Sequence, residues 1–132
     1  MKRFFSYVIL CCSLSFTACE EETALGVDTS LFQEWTHARE EQADANATQM
    51  IFRLSDSQTF AATRYRQSYI FNADGSCEYL YLDPADAHHF RTGSFSFDSE
   101  DKILTIYDGS DDLYDSFKVV ELSSDKLVLE RQ

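Results

Sequence analysis

Short stretches of alternating aromatic and polar residues, separated by turn-forming residues, dominate the chain from residue 64 onward. The clearest pair is RYRQSYIF and CEYLYL, which NADG joins. Asparagine first, aspartate third and glycine fourth favour a type I turn closed by a left-handed glycine, as in short hairpin loops. That loop places Phe71 opposite Cys77 and Tyr69 opposite Tyr79. One face of the hairpin then carries side chains suited to a core, namely Tyr65, Tyr69, Phe71, Cys77, Tyr79 and Tyr81.

Segments of the same kind continue to the end of the chain. Strand-like runs with turn residues between them cover 90–97, 102–108, 113–122 and 126–131. Short strands at such spacing are typical of an antiparallel sandwich or barrel. We therefore predict an all-β domain at 29–132, an antiparallel up-and-down barrel or sandwich of about eight short strands.

The part of the chain before these segments is less regular. LFQEWTH at 31–37 and QMIFRL at 49–54 are expected to be strands, with Trp35 in the core. The intervening AREEQADANA, 38–47, has a helical composition without an apolar face, which predicts a loop or a short exposed helix. The pattern leaves the strand order in residues 31–64 open.

Together these segments resemble a known kind of domain. A tryptophan in the first strand, followed by YIFNADGSCEYLYL, GSFSF, KILTIYD and FKVVELSSDKLVLE, is similar to the small lipocalin-like barrels of bacterial lipoproteins. The resemblance covers Leu31 to Glu130. It implies a lipocalin-like fold and no particular reaction, because its motifs encode turns and strand alternation.

The chain begins with the features of an export signal. Met1–Arg3 is basic, and the uncharged run FFSYVILCCSLSF follows, which is shorter than the roughly 20 apolar residues of a stable membrane anchor. Such a start is typical of a secretory signal peptide, and the alternative is a buried N-terminal helix. The residues FTA before Cys19 resemble the lipobox of bacterial lipoproteins, whose cysteine is acylated. That resemblance implies a signal peptide at 1–18 and a membrane as partner through a lipid on Cys19.

Three glutamates follow this cysteine directly. Glu20–Glu22 resemble the export signal that carries some Gram-negative lipoproteins to the cell surface, and the alternative is a solvated spacer. Residues 19–28 are short and polar, which suits a tether. The resemblance implies an exported protein that is anchored to the outer membrane, on its periplasmic side or at the cell surface.

Charge and cysteine content narrow the classes of function. The chain has 23 acidic and 11 basic residues, and loss of Lys2 and Arg3 with the signal peptide leaves nine basic residues and a net charge of −14. A chain this acidic is repelled by phosphate backbones, so nucleic-acid binding is not expected. Beyond Cys19 the sequence holds one cysteine, Cys77, so an intrachain disulfide is excluded. We expect Cys77 to be a small buried hydrophobic residue.

Arginines supply the candidate contacts for a polar ligand. Arg64 and Arg66 would share one face of a strand, and with Arg53 and Arg91 they would form a basic patch. Guanidinium groups suit carboxylate or phosphate ligands, while the alternative is pairing with local acids such as Glu78. The hairpin would also carry an apolar patch that needs a cover or a partner: Ile70, Leu80 and Leu82.

Histidines and aspartates around LDPADA supply a candidate metal site. Asp86 and His88, with His37 as a distant third ligand, would suit zinc or another transition metal. Against this, His88 and His89 would point to opposite faces of a strand, and Asp-Pro with Ala-Asp is ordinary turn chemistry. A second acidic run, Asp108–Asp115, lacks the EF-hand pattern and is expected to be a solvated hairpin tip.

These observations predict a non-enzymatic binding or interaction module on the cell envelope, without a cofactor. Its ligand would be small and apolar if the barrel interior is open, or a protein if the apolar patch is exposed. The alternatives are a metal-assisted enzyme centred on Asp86 and His88, and a structural component of the envelope.

Overall fold

Eight strands make up most of the regular structure. The computed structural model describes residues 26–42, 44, 46–85 and 87–132. The strands are β1 Glu34–His37, β2 Gln49–Leu54, β3 Ser68–Phe71, β4 Ser76–Leu82, β5 His88–Asp98, β6 Ile103–Tyr107, β7 Leu113–Leu122 and β8 Lys126–Arg131. Two 3₁₀ turns accompany them, Thr29–Leu31 and Arg39–Glu41. The bounds of β2, β7 and β8 agree with the sequence-based prediction.

The strands close into an antiparallel barrel. Neighbouring strands follow the order β1-β2-β8-β7-β6-β5-β4-β3, and β3 pairs with β1 to complete the ring. The predicted all-β antiparallel barrel of about eight strands is therefore confirmed. From β3 to β8 each strand pairs with the next, which is the up-and-down pattern. The sequence left the order of the first strands open, and in the structure β1 lies between β2 and β3.

The connection from β2 to β3 passes β1 on the outer side of the barrel. Thr36 faces outward between the inward-facing Trp35 and His37, yet it is only 7% exposed. Its hydroxyl forms hydrogen bonds with the Ser55 hydroxyl at 2.6 Å and the Ser68 hydroxyl at 3.3 Å. A buried polar group without a hydrogen-bond partner is destabilising, and here the three hydroxyls beneath the connection serve as partners for one another.

The hairpin of β3 and β4 has the predicted register. Tyr69 pairs with Tyr79, and Phe71 pairs with Cys77. Gly75 closes the turn with a φ of 87°, a conformation that glycine adopts without steric cost. All four paired side chains are buried, as the alternation predicted.

The predicted strand at 64–71 is wrong in its first half, because β3 begins four residues later. Near this end the Tyr65 hydroxyl donates to the Leu80 carbonyl oxygen at 3.0 Å, and the Gln67 amide donates to the same oxygen at 3.5 Å. At this end, side-chain hydrogen bonds to β4 thus take the place of backbone hydrogen bonds between neighbouring strands. The two arginines that were expected to share a strand face lie instead in the connection before β3.

Large side chains fill the barrel interior. Rings from different strands meet across it, with centroid distances of 5.1 Å between Phe71 and Phe95 and 6.0 Å between Tyr69 and Phe117. The described interior is therefore a packed core. The core cluster comprises Val27, Leu31, Trp35, Phe52, Tyr69, Phe71, Cys77, Tyr79, Phe95, Leu104, Ile106, Phe117, Leu127 and Leu129.

Residues just ahead of β1 close one end of the barrel, which we call the plugged end. Val27 and Leu31 are each 1% exposed and belong to the core cluster. The indole Nε1 of Trp35 donates to the Leu31 carbonyl oxygen at 3.0 Å, which ties the turn to the core. Within the described residues, the core therefore already includes Val27, two residues ahead of the predicted domain boundary. Residues 26–132 contain the complete closed barrel with its core, so we treat them as a unit that folds on its own.

The described chain enters at the plugged end. A Cβ placed on Gly26 would lie 3.9 Å from the Ser99 side chain, in the turn between β5 and β6. The predicted signal peptide at 1–18, the lipid attachment at Cys19 and most of the tether at 19–28 lie outside the described residues. Within the described ranges, no helix has the length and apolar character needed to cross a membrane.

Candidate ligand site at the open end of the barrel

Polar and aromatic side chains line the end of the barrel opposite the plug. Inward positions alternate with outward ones along each strand, so apolar residues here would simply lengthen the core. Most of these positions instead carry hydroxyl, imidazole, guanidinium or carboxylate groups. We call this ring of side chains the mouth: His37, Met50, Tyr65, Tyr79, Tyr81, Arg91, Tyr114, Asp115 and Arg131.

Tyrosine rings form one wall of the mouth. Tyr79 on β4 and Tyr114 on β7 stack with their ring centroids 4.0 Å apart. Tyr114 reaches this position through a bulge, because the pairing of β6 with β7 shifts between Ile106 and Tyr107. Burial raises the pKa of Tyr114 to about 12. Its hydroxyl therefore stays protonated at neutral pH and can donate a hydrogen bond.

A guanidinium group stacks on the next tyrosine of the same wall. Arg91 pairs with Tyr79 across β4 and β5. The Arg91 Cζ atom lies 3.5 Å from the centroid of the Tyr81 ring, and the Arg91 Nε donates to His89 Nε2 at 3.3 Å. Stacking holds the plane of the guanidinium, while the side chain remains exposed. The mouth therefore has a fixed cation at its rim.

A half-buried ion pair lies beside the tyrosines. The Arg131 Nη2 atom donates to Asp115 Oδ2 at 2.9 Å, and the side chains are 64% and 18% exposed respectively. Burial raises the pKa of the Asp115 carboxyl, while the charge of Arg131 lowers it. The Asp115 carboxylate thus carries a desolvation cost that its pairing offsets only in part. Groups of this kind are enriched at functional sites.

The opposite wall of the mouth carries the imidazole of His37 and contains an open pocket. The His37 ring stacks on Phe52 with centroids 5.2 Å apart and forms a hydrogen bond with Gln42. Burial is the largest of the effects that lower the pKa of His37, which favours the neutral ring at pH 7. A pocket of about 400 Å³ lies here, lined by His37, Arg39, Gln42, Ala47 and Met50.

The predicted ligand contacts Arg64 and Arg66 are not brought together at the mouth. Arg66 forms an ion pair with Glu40 at 2.6 Å and also donates to the carbonyl oxygens of His37 and Ala61, at 2.7 Å each. These contacts hold the second 3₁₀ turn and the β2–β3 connection against β1. Arg66 therefore has a structural role, because it holds this connection in place. Arg64 lies exposed in the same connection. Their role as ligand contacts stays a prediction.

The candidate metal ligands are only partly described. His88 is exposed on β5, and its ring contacts Tyr65 with centroids 5.6 Å apart. His37 is buried at the end of β1, and Asp86 lies outside the described residues. In the part of the chain that the structure covers, no three histidine, cysteine, aspartate or glutamate residues are placed to hold one metal ion. The metal-assisted enzyme accordingly stays an untested prediction.

The acidic run at 108–115 separates into two parts. Asp108 Oδ1 accepts hydrogen bonds from the backbone N–H groups of Ser110 and Asp112, which is the chemistry of a tight turn. Asp115 faces the barrel interior, where it pairs with Arg131. The run is therefore a hairpin tip joined to one residue of the mouth.

The predicted apolar patch lies on the outer face of the barrel. Ile70 and Leu80 are half-buried, whereas Leu82 is 44% exposed. Phe90 pairs with Leu80 and is 42% exposed, so it extends the patch. On the inner side, Cys77 is fully buried, and burial raises its thiol pKa to about 11, as befits a small hydrophobic residue.

Sequence reasoning missed two features of the mouth. Arg91 on β5 is the strand partner of the buried Tyr79, so period-two alternation was a sufficient signal to place its side chain at the mouth. We expected it instead in one patch with Arg64 and Arg66. Tyr114 carried no such signal, because a bulge reverses the alternation at that point.

Comparison with known proteins agrees with this architecture. The family model of the lipocalin-like domain matches residues 31–129. No curated protein matches the chain, and no solved structure matches it. The match spans β1 to most of β8 and so covers the closed barrel with its mouth. The chain belongs to the lipocalin-like domain family.

Proposed function

We propose that this protein is a non-enzymatic ligand-binding lipoprotein of the cell envelope, and that the mouth is its binding site. The observation that carries the proposal is the group of partly exposed aromatic side chains at the open end of the barrel: Tyr114, which stacks on the buried Tyr79, and Tyr81, which stacks against Arg91. Aromatic rings bind planar ligand surfaces, and the polar groups beside them fix orientation, which is the usual make-up of a small-molecule site.

The packed core decides where such a ligand would bind. Trp35, Phe52 and Phe117 are fully buried within the barrel, so a ligand would rest on the mouth above them. An open interior was the condition for a small, wholly apolar ligand, and the packed rings weaken that version of the prediction. The polar lining favours a ligand with both a planar ring and polar groups.

The site is tested by removing one ring. Tyr81→Ala in a protein of residues 26–132 is expected to weaken binding of the fluorescent amine N-phenyl-1-naphthylamine about tenfold, because one stacking surface is lost. The measurement is a fluorescence titration. Tyr107→Ala is the matched control, since Tyr107 follows the buried Ile106 on β6 and so faces outward. Equal affinities of the two variants would contradict the proposed site.

The membrane attachment is a second part of the proposal. Seven residues separate Cys19 from Val27, which span about 25 Å when extended. Because the chain enters at the plugged end, a lipid on Cys19 would leave the mouth facing away from the membrane. The outer membrane is the proposed location, and the run Glu20–Glu22 supports its surface side by resemblance to known export signals.

Removal of the acylated cysteine tests this attachment. Cys19→Ala in the full chain is expected to move the protein from the membrane fraction to the soluble fraction, because two or more lipid chains are needed for lasting attachment. Cys77→Ala is the control, since Cys77 is buried in the barrel. If the Cys19 variant still sediments with membranes, the lipoprotein assignment is wrong.

A further inference from the structure

Among the described residues, three arginines of this acidic chain form ion pairs with carboxylates. Ion pairs join Arg53 to Glu41 at 2.8 Å, Arg66 to Glu40 at 2.6 Å and Arg131 to Asp115 at 2.9 Å. Such pairing is expected where 23 acidic residues surround 11 basic ones.

Arg91 differs from these three arginines. No carboxylate among the described residues forms an ion pair with Arg91, whose contacts are the Tyr81 ring and the His89 imidazole. The contact with His89 uses the Nε atom, which leaves the two Nη groups available at the rim of the mouth. A guanidinium presents these groups as a planar fork that matches carboxylate, sulfonate or phosphate oxygens.

The fork and the tyrosine wall are adjacent. Arg91 is the strand partner of Tyr79, and Tyr79 stacks on Tyr114. Tyr81 and Tyr114 are partly exposed beside the buried Tyr79, so a flat ring resting on them would hold a substituent within reach of the Arg91 fork. The site therefore offers two contacts of different chemistry side by side, one for a ring and one for an anion.

We propose that the mouth selects ligands that carry an anionic group beside an aromatic ring, and that Arg91 binds the anion. This inference rests on the proposed function of the mouth. The net charge of the chain, −12, repels anions and so disfavours binding of an anionic ligand. Any preference for an anionic ligand must therefore come from a local contact.

Two matched probes test the inference with the protein of residues 26–132. The first is 8-anilinonaphthalene-1-sulfonate, and the second is N-phenyl-1-naphthylamine, which has the same rings without the sulfonate. We expect the sulfonate to bind about tenfold more tightly than the amine. Arg91→Gln should remove this preference, and Arg91→Lys should keep part of it because the charge remains. Lys118→Gln removes an exposed charge on β7 and should leave the preference unchanged.

The outcomes separate this inference from the proposed function. If both probes bind with equal affinity and Arg91→Gln changes neither, the anion selection is overturned, while the proposed binding site is still decided by the comparison of Tyr81→Ala with Tyr107→Ala. If Lys118→Gln removes the preference as fully as Arg91→Gln does, general charge accounts for it and the inference also fails. If neither probe binds the wild-type protein, the proposed function and this inference fail together.

Discussion

Trp35→Ala is expected to lower the free energy of unfolding of the barrel by about 4 kcal/mol. Trp35 is fully buried, and its indole Nε1 donates to the Leu31 carbonyl oxygen at 3.0 Å. The alanine would leave a cavity in the core and release the plug from β1. Small domains are stable by only about 5–15 kcal/mol, so this loss would remove a large share of the total stability. Urea unfolding followed by circular dichroism measures the change.

Two control variants separate the cavity from the lost hydrogen bond. Trp35→Phe keeps a ring in the core and loses the bond to Leu31, so we expect a smaller loss of about 1–2 kcal/mol. Leu113→Ala truncates a side chain that is 67% exposed, and its effect should stay within about 0.5 kcal/mol. An unchanged unfolding midpoint for Trp35→Ala would contradict the packed core described above.

Gly93→Ala is expected to destabilise the barrel by about 3 kcal/mol or more. A Cβ at Gly93 would lie 2.0 Å from the Tyr107 carbonyl oxygen and 3.2 Å from Tyr79 Cε1. Since the first contact is with backbone, β5 and β6 would have to move apart where Ser94 pairs with Tyr107. The displaced Tyr79 ring would also disturb the wall of the mouth. The fluorescence of Trp35 during urea unfolding measures the loss of stability.

Gly109→Ala is the matched control for this substitution. A Cβ at Gly109 would lie 3.4 Å from the Thr92 carbonyl oxygen, which is an ordinary contact, and the residue is exposed. Its effect on stability should be within about 0.5 kcal/mol. If both glycine variants unfold at the same urea concentration, the close approach of β5 to β6 at Gly93 is refuted.

The parts of the fold that depend on local chemistry could be predicted from the sequence. The NADG turn fixes its own register through Gly75, and that register places Tyr69 and Tyr79 on the same face. The same alternation predicted burial for Leu127 and Leu129, both of which are fully buried.

The parts that depend on distant contacts could not be predicted. Because β1 lies between β2 and β3, the connection from β2 to β3 has to cross β1, where it covers Thr36. No local sequence pattern indicates which strand such a connection will cross. Arg66 sits in a stretch of strand-like composition, but its bonds to Glu40 and to the carbonyl oxygen of Ala61 hold it in that connection. Tertiary contacts override β-propensity at this place.

The candidate site follows the same division. Arg91 could have been placed at the mouth by alternation alone, whereas the Asp115–Arg131 pair joins β7 to β8, whose register shifts between Val119 and Glu121. Bulges reverse which side chains face inward, and they leave little trace in the sequence.

Binding of a small ligand at the mouth can be observed residue by residue in amide NMR spectra of residues 26–132 during titration with 8-anilinonaphthalene-1-sulfonate. We expect the largest chemical-shift changes at Tyr65, Tyr81, Arg91 and Tyr114, and no change at the plugged end around Val27. Changes confined to the outer patch of Leu80, Leu82 and Phe90, or no saturable changes at all, would contradict binding at the mouth.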